Sequence, residues 1–118
     1  MKNLLFVLLA AAVTASAWAE GCWVKPCGSR VEIYSLGGSY KGSISCNDVL
    51  DAQADSYLIA VLVSSSRVEL YTTDGSYKCS VSVNGGRRIQ VCGGRVAVTV
   101  SGGRTEIYDA GGSYCGSF

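Results

Sequence analysis

One fifteen-residue pattern occurs three times at a fixed spacing, and this repeat limits the folds open to the chain more than any other feature. The first copy runs from Arg30 to Ile44 (RVEIYSLGGSYKGSI), the second from Arg67 to Val81 (RVELYTTDGSYKCSV) and the third from Arg104 to Phe118 (RTEIYDAGGSYCGSF). Successive copies are offset by 37 residues without a gap, and seven of the fifteen positions agree in all three. A fixed period of this length marks a repeat architecture in which each unit is one supersecondary element.

The same offset places Ala52–Val63 on Ile89–Val100. One full unit then contains four strands: near Arg88–Cys92, Arg95–Val100, Arg104–Tyr108 and Ser113–Phe118. Gly93-Gly94, Gly102-Gly103 and Asp109–Gly112 supply the turns, and Asp74-Gly75 occupies the matching turn of the second copy. Glycine tolerates the positive φ that tight hairpins require. Val31 and Ile33 alternate with Arg30, Glu32 and Tyr34, as in a strand with one apolar face. Ile59–Val63 is apolar on both faces and is expected to be covered on both sides.

The sequence therefore predicts an all-β fold of three four-stranded antiparallel units, spanning approximately 22–46, 47–83 and 84–118. The first is incomplete, because the positions matching its first strand fall near residues 13–18. The order of an apolar strand, an RVELY strand, a DGSY turn and a closing strand resembles a blade of a β-propeller, as in WD-repeat proteins. That resemblance covers about Trp23 to Phe118 and implies a fold without a particular activity. The paired Gly-His and Trp-Asp of WD repeats are absent. The alternative is closure with pseudo-threefold symmetry as a β-prism or β-trefoil. The mannose signature of bulb-type lectins is missing, with Val63, Ser65 and Arg67 at the matching positions.

Residues 1–19 have the layout of a secretory signal. Lys2 precedes an apolar run from Leu4 to Val13, and Ala17-Trp18-Ala19 fits a cleavage site before Glu20. Cleavage after Ala15-Ser16-Ala17 is the alternative. The expected product is a secreted or periplasmic single domain over residues 20–118 with no membrane span. In that setting the even set Cys22, Cys27, Cys46, Cys79, Cys92 and Cys115 reads as disulfide candidates, with a local loop between Cys22 and Cys27.

Net charge is +1, which gives no strong attraction to nucleic acid. Histidine is absent, which removes histidine-based triads and the commonest general base. No catalytic residue, metal site or cofactor is assigned. Asp48, Asp51 and Asp55 in the second unit stand against Arg87, Arg88 and Arg95 in the third, a contrast suited to steering units together. Tyr34, Tyr71, Tyr108, Tyr40, Tyr77 and Tyr114 recur with the period and are the ligand-binding candidates. The expected function is a non-enzymatic interaction module, assembled into an oligomer, with a protein partner or self-association. The alternatives are a lectin-like glycan binder and a structural self-assembling protein.

Overall fold

The computed structural model describes residues 21–118, so the expected signal segment lies outside the described residues. Eleven strands follow one another: β1 (Cys22–Cys27), β2 (Arg30–Ser35), β3 (Tyr40–Ser45), β4 (Val49–Ala54), β5 (Ile59–Val63), β6 (Arg67–Tyr71), β7 (Tyr77–Ser82), β8 (Gly86–Cys92), β9 (Arg95–Val100), β10 (Thr105–Tyr108) and β11 (Tyr114–Ser117). They form three antiparallel meanders, ordered β1-β2-β3, β4-β5-β6-β7 and β8-β9-β10-β11. The fold of the described residues is all-β and blade-like, and no sheet among them closes into a barrel. No helix among the described residues is long and apolar enough to cross a membrane.

The sheets stack face to face in chain order, with the second in the middle. Every residue of β5 is buried, and its two faces feed two different cores. Ile59, Val61 and Val63 join Val31, Ile33 and Ile44 of the first sheet. Ala60 and Leu62 join Val96, Val98 and Val100 of the third. The doubly apolar pattern of this strand thus has the expected cause.

The turn before the last strand of each sheet is built the same way three times. Gly38 N–H donates to Ser35 O, Gly75 N–H to Thr72 O and Gly112 N–H to Asp109 O, each at 2.9 Å. The side chains of Ser35, Thr72 and Asp109 accept from the backbone N–H of Ser39, Ser76 and Ser113 at 3.1, 3.1 and 2.9 Å. The three glycines sit at φ of 95°, 95° and 87°, a region other residues rarely adopt. Just beyond each turn a β-bulge shifts the register, between Ile33 and Tyr34, Leu70 and Tyr71, and Ile107 and Tyr108. Lys41, Lys78 and Cys115 are the extra residues, and the bulge brings Tyr40, Tyr77 and Tyr114 opposite Tyr34, Tyr71 and Tyr108.

The first sheet departs from the repeat at β1. Ile59 pairs with Tyr71, and Val96 with Tyr108, so the 37-residue offset places Cys22 opposite Tyr34. Cys22 instead pairs with Ser35, and Trp23 with Tyr34. The shift arises in the turn. Cys27 pairs with Arg30 across Gly28-Ser29, whereas Val63 pairs with Arg67 across three residues. A slip of one residue exchanges the two faces of a strand. Without it, Trp23 and Lys25 would occupy the places of Ala60 and Leu62, both fully buried. A lysine there would lose its hydration without a partner. With it, Cys22 and Val24 enter the core while Trp23 and Lys25 stay exposed. Pro26, the one proline of the chain, lies in this strand, which has a single neighbour in the sheet. Proline is tolerated in sheets at such edges.

No disulfide is formed among the described residues, and the expected local loop between Cys22 and Cys27 is corrected. All six cysteines are free thiols. Cys22 and Cys27 stand at opposite ends of one extended strand, roughly 16 Å apart. A bridge needs Cα atoms within about 7 Å. Cys92 and Cys115 lie on opposite edge strands of the third sheet, roughly 14 Å apart across three strand spacings. Cys22 and Cys46 are buried in the first core.

Candidate functional site

Stacking leaves two sheet faces uncovered among the described residues. On the first sheet the open face carries Trp23, Lys25, Arg30, Glu32 and Tyr34. On the third it carries Ala97, Thr99, Thr105, Ile107 and Phe118. The repeat shows what each face becomes when covered. Tyr71 and Tyr108 are buried beneath the preceding sheet, while their counterpart Tyr34 is half-buried. Leu62, Val68, Leu70 and Val81 are buried beneath the following sheet. Their counterparts Thr99, Thr105 and Ile107 are only partly covered, and Phe118 is 82% exposed.

Each sheet also carries one copy of a three-residue polar network. Glu32 accepts from Arg30 at 2.7 Å and from the Tyr34 hydroxyl at 2.7 Å. Glu69 accepts from Arg67 at 2.9 Å and from Tyr71 at 2.6 Å, and Glu106 from Arg104 at 2.7 Å and Tyr108 at 2.9 Å. Residues two apart on a strand share a face, so the RVEIY pattern suffices to build the network. The Tyr34 hydroxyl and the Arg30 guanidinium hold Glu32 down at about 2. Burial raises Glu69, but donors from Tyr71, Arg67 and Cys46 outweigh it, and the carboxyl lies below its usual range. Arg104 and Tyr108 lower Glu106. Burial and the Glu106 carboxylate together push Tyr108 up to about 12.

The six tyrosines form three dyads. Tyr34–Tyr40, Tyr71–Tyr77 and Tyr108–Tyr114 meet edge to face with ring centroids 5.8, 5.7 and 5.7 Å apart. The structure therefore divides the candidates by role. Tyr34, Tyr71 and Tyr108 spend their hydroxyls on glutamates. Tyr40, Tyr77 and Tyr114 are exposed rings on the outer strands.

The acidic and basic units meet differently from the expectation of charge steering. Asp51 Oδ2 accepts the Ile89 backbone N–H at 3.0 Å, and Asp55 Oδ2 accepts the Gly94 N–H at 2.9 Å. The aspartates thus grip the backbone of the third sheet, and the ion pairs among the described residues run along strands from Arg30, Arg67 and Arg104. Arg88 and Cys92 occupy the positions equivalent to Asp51 and Asp55, so the third sheet does not repeat the grip.

Two grooves accompany these features. A polar cavity of about 600 Å³ opens between the first and second sheets, with Cys46, Asp48, Arg67 and Glu69 on its wall. Cys46 Sγ donates to Glu69 Oε1 at 3.5 Å there, and burial with the Glu69 charge pushes the thiol up to about 11. A second groove of about 560 Å³ runs beside β1 and β4 past Trp23 and Leu36. The offset alone does not reveal the first sheet's open face, because the slip in β1 changes which residues that sheet presents.

No protein-family model matches the chain, and no curated protein matches it. Among solved structures it is similar to apo AztD from Citrobacter koseri, with a TM-score of 0.64 and 14% identity. That match covers 82% of this chain and 31% of the other. A protein of unknown function from Bacteroides caccae matches with a TM-score of 0.51 and 13% identity, over 83% of this chain and 42% of that one. At these identities the likeness is one of fold. The chain spans less than half the length of either structure.

Proposed function

We propose that this protein is an exported, non-enzymatic interaction module that presents its β-repeat surface to other protein chains, copies of itself included. The observation that supports this most directly is the pair of open sheet faces. Each carries exposed aromatic side chains where the repeat buries its counterparts, Trp23 on one and Phe118 on the other. Exposed apolar patches on a sheet face are characteristic of interaction surfaces. Export rests on the layout of residues 1–19. The test is the mass of the exported protein in solution over a range of concentrations. The expected result is a mass above that of one chain, rising with concentration. A single chain at every concentration overturns self-association.

A second reading, a lectin-like glycan binder, is favoured by Tyr40, Tyr77 and Tyr114. Three exposed rings at equivalent places offer repeated stacking platforms for sugar faces. A glycan array tests it: binding abolished by Tyr→Ala changes at all three positions supports it, and no binding across broad sugar classes overturns it.

A further inference from the structure

The second and third sheets each press a glycine turn against the face of the sheet before them. A Cβ placed on Gly75 would lie 3.2 Å from Ile33 Cδ1 and 3.9 Å from Ile44 Cγ1. One placed on Gly112 would lie 3.2 Å from Cys79 Sγ and 3.5 Å from Val81 Cγ2. Gly38, Gly75 and Gly112 are equivalent by the 37-residue offset, and so are Ile44, Val81 and Phe118. The chain therefore holds two filled contacts, Ile44 with Gly75 and Val81 with Gly112. Among the described residues it also holds one unfilled half of each kind. Gly38 has no atom of the described residues within 4 Å of where its Cβ would be, and Phe118 is 82% exposed. Leu36 follows the same logic. Its counterpart Ala110 packs on the second core, whereas Leu36 is 56% exposed.

We infer that a second copy of this chain covers the first sheet, head to tail. The Leu36–Gly38 turn of one copy seats against Ile107 and Phe118 on the third sheet of the next. This rests on the interaction-module reading and names its partner and its direction. The second copy is the favoured occupant because the same chain already makes this contact twice within itself. A contact between unlike faces is heterologous, so it leaves a free face at each end of a pair and propagates into a ring or a filament. Thr99 and Thr105 replace Leu62 and Val68 on the third sheet's face. They lower the penalty of exposing it, which suits a reversible contact.

The test uses two variants of the full chain, purified after export. Phe118→Asp blocks the third sheet's face, and Leu36→Asp blocks the first sheet's turn. Both side chains are largely exposed, so far-ultraviolet circular dichroism and the thermal midpoint are expected to match the parent. Each variant alone is expected to associate at least about tenfold more weakly than the parent, as for loss of an interface anchor. Mixed together, they are expected to form a one-to-one pair and nothing larger, because one good face remains on each. A parent that is a single chain at every concentration overturns this inference together with self-association. A parent that assembles and is unaffected by either variant overturns this inference alone. So does a Phe118→Asp chain that still pairs by itself, which means like faces meet, or a parent face occupied only by a different protein.

Discussion

Asp51 on β4 and Ile89 on β8 are joined across two sheets, the carboxylate Oδ2 accepting the backbone N–H at 3.0 Å. The other oxygen of the same carboxylate accepts the Ala52 N–H at 2.9 Å. One side chain thus anchors its own strand and grips the next unit. Hydrogen bonds to a charged acceptor contribute about 1.5–3 kcal/mol, and Ile89 is buried, so its N–H has little water to turn to. Asp51→Ala is expected to destabilise the fold by about 2 kcal/mol. Asp51→Asn keeps one acceptor and is expected to lose less. Urea unfolding of the three proteins checks the order, and equal midpoints for Ala and parent contradict it.

The slip of β1 makes a prediction opposite to that of a strict repeat. Val24 packs on the first core, and Lys25 is exposed. Val24→Asp is expected to cost about 2 kcal/mol or more, because it places an unpaired charge against apolar side chains. Lys25→Asp is expected to stay within about 0.5 kcal/mol of the parent, as surface changes usually do. Chemical denaturation of both variants reads the difference, and the reverse order restores the unslipped register.

Acid is expected to loosen all three sheets through the same kind of group. Glu32, Glu69 and Glu106 are each held below the usual carboxylate range by a tyrosine and an arginine, Glu32 at about 2. A depressed carboxyl contributes stability that is complete above its unfolded value, near about 4.3, and is lost as pH falls through the folded value. Unfolding midpoints are therefore expected to drop between about pH 4.5 and 2. Replacing the three glutamates with glutamine is expected to flatten that limb while lowering stability near neutrality. A parent whose midpoint is constant over this window contradicts the prediction.

The thiols are expected to react in an order set by burial. Cys92 and Cys115 are exposed, whereas burial raises Cys22, and burial with the Glu69 charge pushes Cys46 up to about 11. A thiol reagent must reach the sulfur, so the exposed pair is expected to be labelled first in the native protein. All six are expected to be labelled once the chain is unfolded without reductant. Fewer than six there reinstates a disulfide.

The strands were legible because the repeat and the two-residue alternation agree: Val31 and Ile33, Val68 and Leu70 lie inside as their pattern requires. The exposed rings of Tyr40, Tyr77 and Tyr114 were also legible as a set, but their separation from the hydroxyl-bound tyrosines was not. That division depends on a bulge at Lys41, Lys78 and Cys115, which has no marker residue common to all three copies. The slip of β1 was hidden for a related reason. Offset alignment assumes equal turn lengths, and Gly28-Ser29 closes a shorter one. The cysteine count pointed to bridges because number carries no distance. The aspartate grip was legible as charge but not as chemistry, since its partners are backbone N–H groups that any sequence supplies.

Gly86 offers the sharpest test of how closely the second and third sheets approach. A Cβ there would lie 2.8 Å from Leu62 Cδ1 and 3.2 Å from Val83 Cγ2. Leu62 is fully buried in the core shared with Val96, Val98 and Val100 of the third sheet, so it cannot swing away without displacing its neighbours. The position equivalent to Gly86 in the second sheet is Val49, so a valine is the substitution the repeat itself suggests. Overpacking a filled core costs about 1–3 kcal/mol. Gly86→Val is expected to destabilise the fold by that amount, and Gly86→Ala by somewhat less. Leu62→Ala alone is expected to cost about 2–5 kcal/mol through the void it leaves. Combined with Gly86→Val it is expected to cost less than the sum, because the new methyl groups enter that void. Thermal unfolding of the four proteins measures the coupling. Strict additivity of Gly86→Val and Leu62→Ala means that the two sheets stand farther apart at this point than the structure places them.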